Sequence, residues 1–358
     1  MPHKKLLSTS LKDEFADEIK DLNLRVTKLE KNQPAFKIGG DVRLRFYNNF
    51  DLNYNGGNKG ADIYNRTQER IRLTFASDID SKWSFNSRLA AQNTTNRSGY
   101  GATAGERGSS SGEVEFDVAD VTYKINPNWT FGIGRAAINV GTTNMLSTVG
   151  FWDGIRLQYA DDKFTGRIIA ADISQAFLSN LAIGKTSVVD TKNLVLTDFT
   201  YKADPRFAIT GAYLKSTSPS LKWKIADIGA KVQLSDNYSM QAEYLHNSSS
   251  ALNSDAKAQR NAYYTSLNYK QIDLKKPHTY SIGINYKKVG KDTVNENMTS
   301  LVSMSNTYGI KGWGASFDYV LAKNVQGTLM MEKLTPYNKS VNNFDYDTVV
   351  GGVVQFKF

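Results

Sequence analysis

From Phe36 to the last residue, apolar and polar positions alternate with a period of two. Phe36, Ile38, Gly40, Val42, Leu44 and Phe46 alternate with Lys37, Gly39, Asp41, Arg43, Arg45 and Tyr47. Ile71, Leu73 and Phe75 alternate with Arg70, Arg72 and Thr74; near the end Tyr346, Thr348, Val350, Gly352, Val354, Phe356 and Phe358 share one face. Successive side chains of a strand point to opposite faces, so the pattern predicts strands with one apolar and one polar face. Sixteen such segments can be marked: 36–48, 63–79, 82–94, 113–125, 129–139, 154–161, 163–175, 191–202, 206–216, 223–234, 237–248, 259–270, 278–288, 309–321, 324–335 and 346–358.

The connections alternate between short and long. Short ones fall at Asp80-Ser81, Asn126-Pro127-Asn128, Asp162, Ala203-Asp204-Pro205, Ser235-Asp236, 271–277 and around Lys323. Long ones, rich in Gly, Ser, Asn and Thr, fall at 49–62, 95–112, 140–153, 176–190, 217–222, 249–258, 289–308 and 336–345. A soluble sandwich has no reason to place every long loop at one end, whereas a transmembrane β-barrel does, and the even strand number fits as well.

Aromatic residues such as Trp83, Tyr123, Trp129, Tyr159, Phe164, Tyr238, Tyr269 and Tyr280 sit within about four residues of short turns, where an interfacial girdle needs them. Mid-strand apolar positions carry Leu73, Leu89, Ile168, Ala242, Leu267 and Leu329 instead. The opposite face carries Arg43, Arg45, Arg66, Arg70, Arg72, Arg88, Asp120, Arg156, Asp198, Asp227, Lys231, Glu243, Asp318 and Glu332. A packed core does not hold that many charges, since each unpaired one costs several kcal/mol; a water-filled lumen does. The expected fold is an all-β, 16-stranded antiparallel transmembrane barrel over 35–358. In strand four, Val114, Phe116 and Val118 give way to Val121, Tyr123 and Ile125, a change of phase near Val118-Ala119 that predicts a β-bulge.

Residues 1–34 read differently. Phe15, Ile19, Leu22, Val26 and Leu29 follow a heptad seam that Pro34 ends, predicting a short coiled-coil stalk. Two heptads are too few to be stable alone, so the competing reading is a single amphipathic surface helix. After Met1-Pro2-His3-Lys4-Lys5 only Leu6-Leu7 is apolar before Ser8, so no secretory leader is read here and a mature or trimmed chain is expected.

Composition narrows the chemistry. The 44 Lys and Arg against 35 Asp and Glu give a formal charge of +9, but the cations are spread along strands and no basic-aromatic motif recurs, so nucleic acid is not an expected partner. There is no Cys, and His3, His246 and His278 lie far apart, which excludes disulfides, thiol sites and a His-rich metal centre. No Ser-His-Asp set, catalytic carboxylate pair or phosphate loop is visible, so the chain is not expected to be an enzyme. Gly132-Ile133-Gly134-Arg135-Ala136-Ala137 imitates a dinucleotide fingerprint without the helix that motif must open. No cofactor is expected. Calcium is the one metal the spacing admits: Asp51, Asn53 and Asn55, then Gly56 and Asp62, follow a calcium loop, although strands flank it, Asp62 replaces the usual Glu, and an Asn-Gly-rich loop produces such spacing by chance.

On these residues the sequence resembles a general trimeric porin. The end, Val353-Val354-Gln355-Phe356-Lys357-Phe358, resembles the terminal signal by which the assembly machinery recognises outer-membrane barrels, with Gly351 and Gly352 displaced from the usual position. A heptad segment feeding strand one narrows the resemblance to the S-layer-homology, coiled-coil-stalk porins of diderm Firmicutes. It implies a homotrimer in outer-membrane lipid with the stalk in the periplasm. The S-layer-homology domain is absent from these residues, so peptidoglycan would be reached only through a domain this sequence does not contain. The expected function is passive diffusion of ions and small hydrophilic solutes. The alternatives are a substrate-specific outer-membrane channel and a mainly structural tether between outer membrane and cell wall.

The resemblance also implies that the third long connection, Ala136 to Asp153, folds into the barrel. Its Ile138, Met145, Leu146, Phe151 and Trp152 are expected anchors, and its only charge is Asp153. Opposite it are expected Arg43, Arg45, Arg66, Arg70, Arg72 and Arg88, giving a constriction with weak anion preference. The competing reading pairs these arginines with Asp41, Asp78, Asp120 or Glu115 and leaves them without influence on selectivity.

Overall fold

A computed structural model describes residues 36–49, 66–96, 114–147, 151–174, 193–217, 223–294, 308–340, 346 and 348–358, together with Glu18, Lys20 and Arg25. The chain divides into two compact units, Met1–Lys37 and Ile38–Phe358. The seam residues Phe15, Ile19, Leu22, Val26 and Leu29 lie outside the described residues, as do Asp51, Asn53, Asn55 and Asp62 of the calcium-like loop.

Sixteen strands form the second unit. They are β1 Lys37–Asn49, β2 Arg66–Asp78, β3 Trp83–Asn96, β4 Val114–Lys124, β5 Trp129–Ala137, β6 Phe151–Ala160, β7 Phe164–Ser174 and β8 Leu194–Asp204. The second half comprises β9 Phe207–Ser216, β10 Lys224–Gln233, β11 Tyr238–Asn247, β12 Asn261–Tyr269, β13 Tyr280–Val289, β14 Ile310–Ala322, β15 Val325–Thr335 and β16 Val349–Lys357. Each strand neighbours those before and after it in the chain, and β1 pairs antiparallel with β16 to close the barrel. The clasp extends past the last strand: Gly40 N donates to Phe358 O at 2.9 Å, and Phe358 N donates to Gly40 O at 3.1 Å. A Cβ on Gly40 would stand 2.3 Å from Arg72 O and 2.8 Å from the Phe358 ring, so only glycine lets the chain end lie this close.

The two faces follow the alternation. Ile38, Ile71, Ile168, Ile228 and Leu329 are exposed on the outer face, while Asp41, Arg43 and Asp120 are buried against the inner one. Aromatic pairs bridge neighbouring strands at the short-turn rim: Trp83–Tyr123 with ring centroids 4.7 Å apart, Trp129–Tyr159 at 5.2 Å and Tyr238–Tyr269 at 5.1 Å. A second set stands at the long-connection rim, with Tyr244–Tyr263 and Tyr286–Trp313 both at 4.9 Å. Amphipathic rings prefer the boundary between water and hydrocarbon, and two rims of them bracket an apolar band.

Short turns repeat one local device. Asp80 accepts from the backbone N–H groups of Lys82 and Trp83, both at 2.7 Å. Asn126 does the same for Asn128 and Trp129, and Asp161 for Lys163 and Phe164. The side chain satisfies the two donors the tight reversal leaves open.

Two details differ from the alternation pattern. The bulge falls at Asp117, between Phe116 opposite Leu89 and Val118 opposite Arg88, one residue ahead of the expected site. β6 begins at Phe151 rather than at 154, so Phe151, Trp152 and Asp153 are strand residues and not loop.

Ile228 is mid-strand on the outer face and 59% exposed. Ile228→Arg is expected to destabilise the barrel by about 2–4 kcal/mol in lipid, read from urea unfolding in vesicles. Lys231→Gln, on the inner face, is expected to change it by less than about 0.5 kcal/mol. Backbone N–H groups hold the Asp80 and Asp161 carboxylates below the ordinary 3.8. Their stabilising contribution is therefore complete above that value and lost as pH falls through the lower folded values. Between about pH 5 and about pH 2, the urea midpoint of the wild type is expected to fall further than that of a variant carrying Asp80→Asn and Asp161→Asn.

Candidate functional site

The connection between β5 and β6 turns into the barrel. It is zipped at its base by Val140 N donating to Ser147 O at 3.0 Å and by the Ser147 hydroxyl donating to Ile138 O at 2.8 Å. Trp152 Nε1 reaches Ser147 Oγ at 3.4 Å. Ile138, Val140, Met145, Leu146 and Trp152 are buried in one apolar cluster with Ile169, Leu196, Leu214, Ile225 and Leu245 of the wall. Phe151 packs apart from them, beside Val118, with the Arg88 guanidinium 5.5 Å from its ring centroid.

Polar contacts fix the tip against β9 to β11. Thr142 Oγ1 and Thr210 Oγ1 are 2.6 Å apart. Thr143 donates to Glu243 Oε2 from its backbone N–H and, at 2.6 Å, from its hydroxyl. Arg167 of β7 donates to Asn139 O at 2.8 Å while paired with Asp198 of β8. Gly141 has φ +89°, and a Cβ there would stand 2.1 Å from Glu243 Oε1 and 2.8 Å from Asp227 Oδ2. The loop backbone therefore lies directly on two carboxylates, and both Asp227 and Glu243 are buried beneath it.

In a ring of sixteen, β2 stands eight places from β10, across the lumen. There Arg70 Nη2 is 3.1 Å from Asp41 Oδ1 and Arg72 Nη2 is 2.7 Å from Asp41 Oδ2, two guanidiniums on one carboxylate. Arg43 donates to Gln68 Oε1 at 2.8 Å, and Arg45 follows on the same face of β1. Arg88 grips Asp117 through two bonds of 2.7 and 2.9 Å. The bulge turns Asp117 inward toward Arg88, which the period-two pattern could not show. Arg156 of β6 grips Asp120 through two bonds of 2.5 Å and crosses Gly132, where a Cβ would stand 2.4 Å from its Cζ. Arg66 opens β2, and its side chain lies outside the described ones.

Asp153 corrects the expected constriction. Register places it opposite Arg135, in line with Ile133 opposite Ile155, on the outer face of the wall. There Arg135 Nε and Asp153 Oδ1 form an ion pair of 2.7 Å. It cannot charge the pore, because β6 starts early enough to give Asp153 a strand's fixed direction. The described part of the inward loop, 138–147, carries no charged side chain. Asn86 and Lys231 face inward and are exposed to solvent, so water reaches the inner wall. Phe356 and Phe358 are exposed at the clasp. The alternation sets Asp227 and Glu243 on the inner face; their contact with the loop carries no local signal, because Thr143 and Glu243 are 100 positions apart.

Gly141→Val is expected to lift the tip from Glu243, since both the positive φ and the missing space exclude a side chain. Hydrogen exchange at the Thr143 backbone N–H is then expected to be faster than in Ala137→Val, whose position is exposed outside.

No protein-family model and no curated protein matches the chain. Among solved structures it is similar to a mutant porin of Rh. blastica, at 13% identity over 90% of this chain and 100% of that one, with a TM-score of 0.53. It is also similar to the high-pH structure of Pseudomonas putida OprB, at 13% identity over 94% of this chain and 97% of that one, with a TM-score of 0.59. The chain therefore has a porin-like fold, a closed antiparallel barrel of sixteen strands.

Proposed function

We propose that this chain is an outer-membrane porin that lets ions and small hydrophilic solutes diffuse without energy input. The observation that carries this reading is a closed wall, apolar and aromatic-rimmed outside and charged inside, with an inward-folded uncharged loop. Lipid supplies no hydrogen bonds, so such a wall spans a membrane only when closed, and its charged interior then needs water. The reading includes a homotrimer, a periplasmic stalk over 1–34 and recognition of Phe356 and Phe358 by the assembly machinery. A peptidoglycan link would need a further domain.

The expected selectivity is a weak preference for anions. Two features support it. Arg70 and Arg72 share the carboxylate of Asp41 on one wall, and the loop covers Asp227 and Glu243 on the other. A cleft of one sign concentrates the opposite ion, less so at high salt. A substrate-specific channel would draw on a ladder of aromatics along the lumen. Trp152 and Tyr346 are instead buried.

In planar bilayers the purified protein is expected to give stable conductance steps in groups of three, and a chain that never conducts would refute the pore. In a KCl gradient the reversal potential is expected to have the sign of anion preference. Replacing Arg43, Arg70 and Arg88 together with Gln is expected to bring it to zero or past it. Deleting residues 1–33 is expected to leave a trimer in mild detergent, because the barrel walls carry most of the surface available for burial.

A further inference from the structure

The outer face divides into two chemically different halves. On β2, β6 and β7 its outward positions include Glu69, Asp153 and Asp172. From β9 to β15 the outward positions hold no Asp or Glu at all. They hold lysines, gathered at the long-connection rim. Register sets Tyr244 opposite Tyr263, Tyr263 opposite Lys288, and Lys288 opposite Lys311, in one row across four strands. The adjacent row runs Tyr286, Trp313, Lys333. Lys215 stands opposite Lys224 at the same rim on β9 and β10.

Like charges directly opposite on neighbouring strands destabilise a sheet, because their Cβ atoms are only about 5 Å apart. Two Lys–Lys pairs at one rim, with no acid among the outward strand positions of β9 to β15, favour an anion between them. The surroundings indicate what carries it. Tyr337 sits over the Lys288 ammonium, with Nζ 4.4 Å from the ring centroid, and holds it at the rim. Next to the lysine row lies an apolar platform: Trp313 is 64% exposed and packs against Tyr286, and Ile284 and Met331 are exposed beside it. A charged row above an apolar platform matches a phosphate above an acyl chain.

We propose that Lys288, Lys311 and Lys333 form a binding site for a phosphate-bearing lipid of the leaflet on the long-connection side. Its phosphate lies between Lys288 and Lys311, and its chain lies over Trp313 and Tyr286. The site rests on the reading that this face stands in lipid.

The test uses the full chain in phosphatidylcholine nanodiscs, titrated with phosphatidylglycerol and read by native mass spectrometry. Phosphatidylglycerol is expected to bind in excess of added phosphatidylcholine. Lys288→Gln with Lys311→Gln is expected to weaken that binding about tenfold or more, while Lys82→Gln at the opposite rim leaves it unchanged. Circular dichroism of the variant checks that the barrel is intact, and Lys333→Gln alone gives a milder second reading. Equal binding of both lipids, or no effect of the double variant, would overturn the site. So would complete displacement by millimolar inorganic phosphate, which would mean a free anion is read, or a change in the variant's oligomeric mass, which would assign the face to another copy of the chain. Conductance of the same sample keeps the two readings apart: loss of the lipid effect with normal channels rejects only the site, and absent channels with specific lipid retained reject only the pore.

Discussion

Inside a bilayer no water waits to accept a stray backbone N–H, and every unpaired group there costs several kcal/mol. On the proposed reading, in which this wall stands in lipid, an open sheet edge is excluded, and the pairing of β1 with β16 is the interaction on which the other features depend. Its demands reach down to single residues. Gly40 has no side chain because Phe358 and the Arg72 carbonyl occupy that space, and the terminal residue bonds back to Gly40 in both directions. Once the ring is closed, each strand has a fixed inside and outside, and a one-residue slip would turn arginines onto the apolar outer face.

Closure also concentrates charge. The inner wall resolves this through guanidinium–carboxylate pairs that cross strands: Arg72 with Asp41, Arg88 with Asp117, Arg156 with Asp120 and Arg167 with Asp198. Planar forks meeting carboxylates in two bonds are the strong form of such contacts. The last pair has a second use, because Arg167 also holds the loop at Asn139. Wall rigidity and loop position thus share residues.

Most of the wall could be read from the sequence. All sixteen segments and the alternation of short and long connections come from a period-two pattern that survives even where hydropathy is low. What escaped was set by tertiary contact. Asp117 escaped because a bulge shifts the phase at the residue that matters, and Asp153 because three residues of β6 look like loop until Ala137 and Ala136 are seen opposite Phe151 and Trp152. The landing point of the loop escaped because Thr143 and Glu243 meet only when the ring closes. The arginines were visible, while their sharing of Asp41 was one option among several.

The short turns carry a further consequence. An Asp or Asn, two residues, then an aromatic recurs at Asp80–Trp83, Asn126–Trp129 and Asp161–Phe164, and the ring that closes each turn also belongs to the rim. Four residues thus specify both where the chain reverses and how deep that reversal sits. A hairpin built this way marks its own level, and the rings of adjacent hairpins meet across the strands, Trp83 on Tyr123 and Trp129 on Tyr159. The level of the rim is thus set turn by turn around the ring, and each reversal is held in line by the ring of the next hairpin.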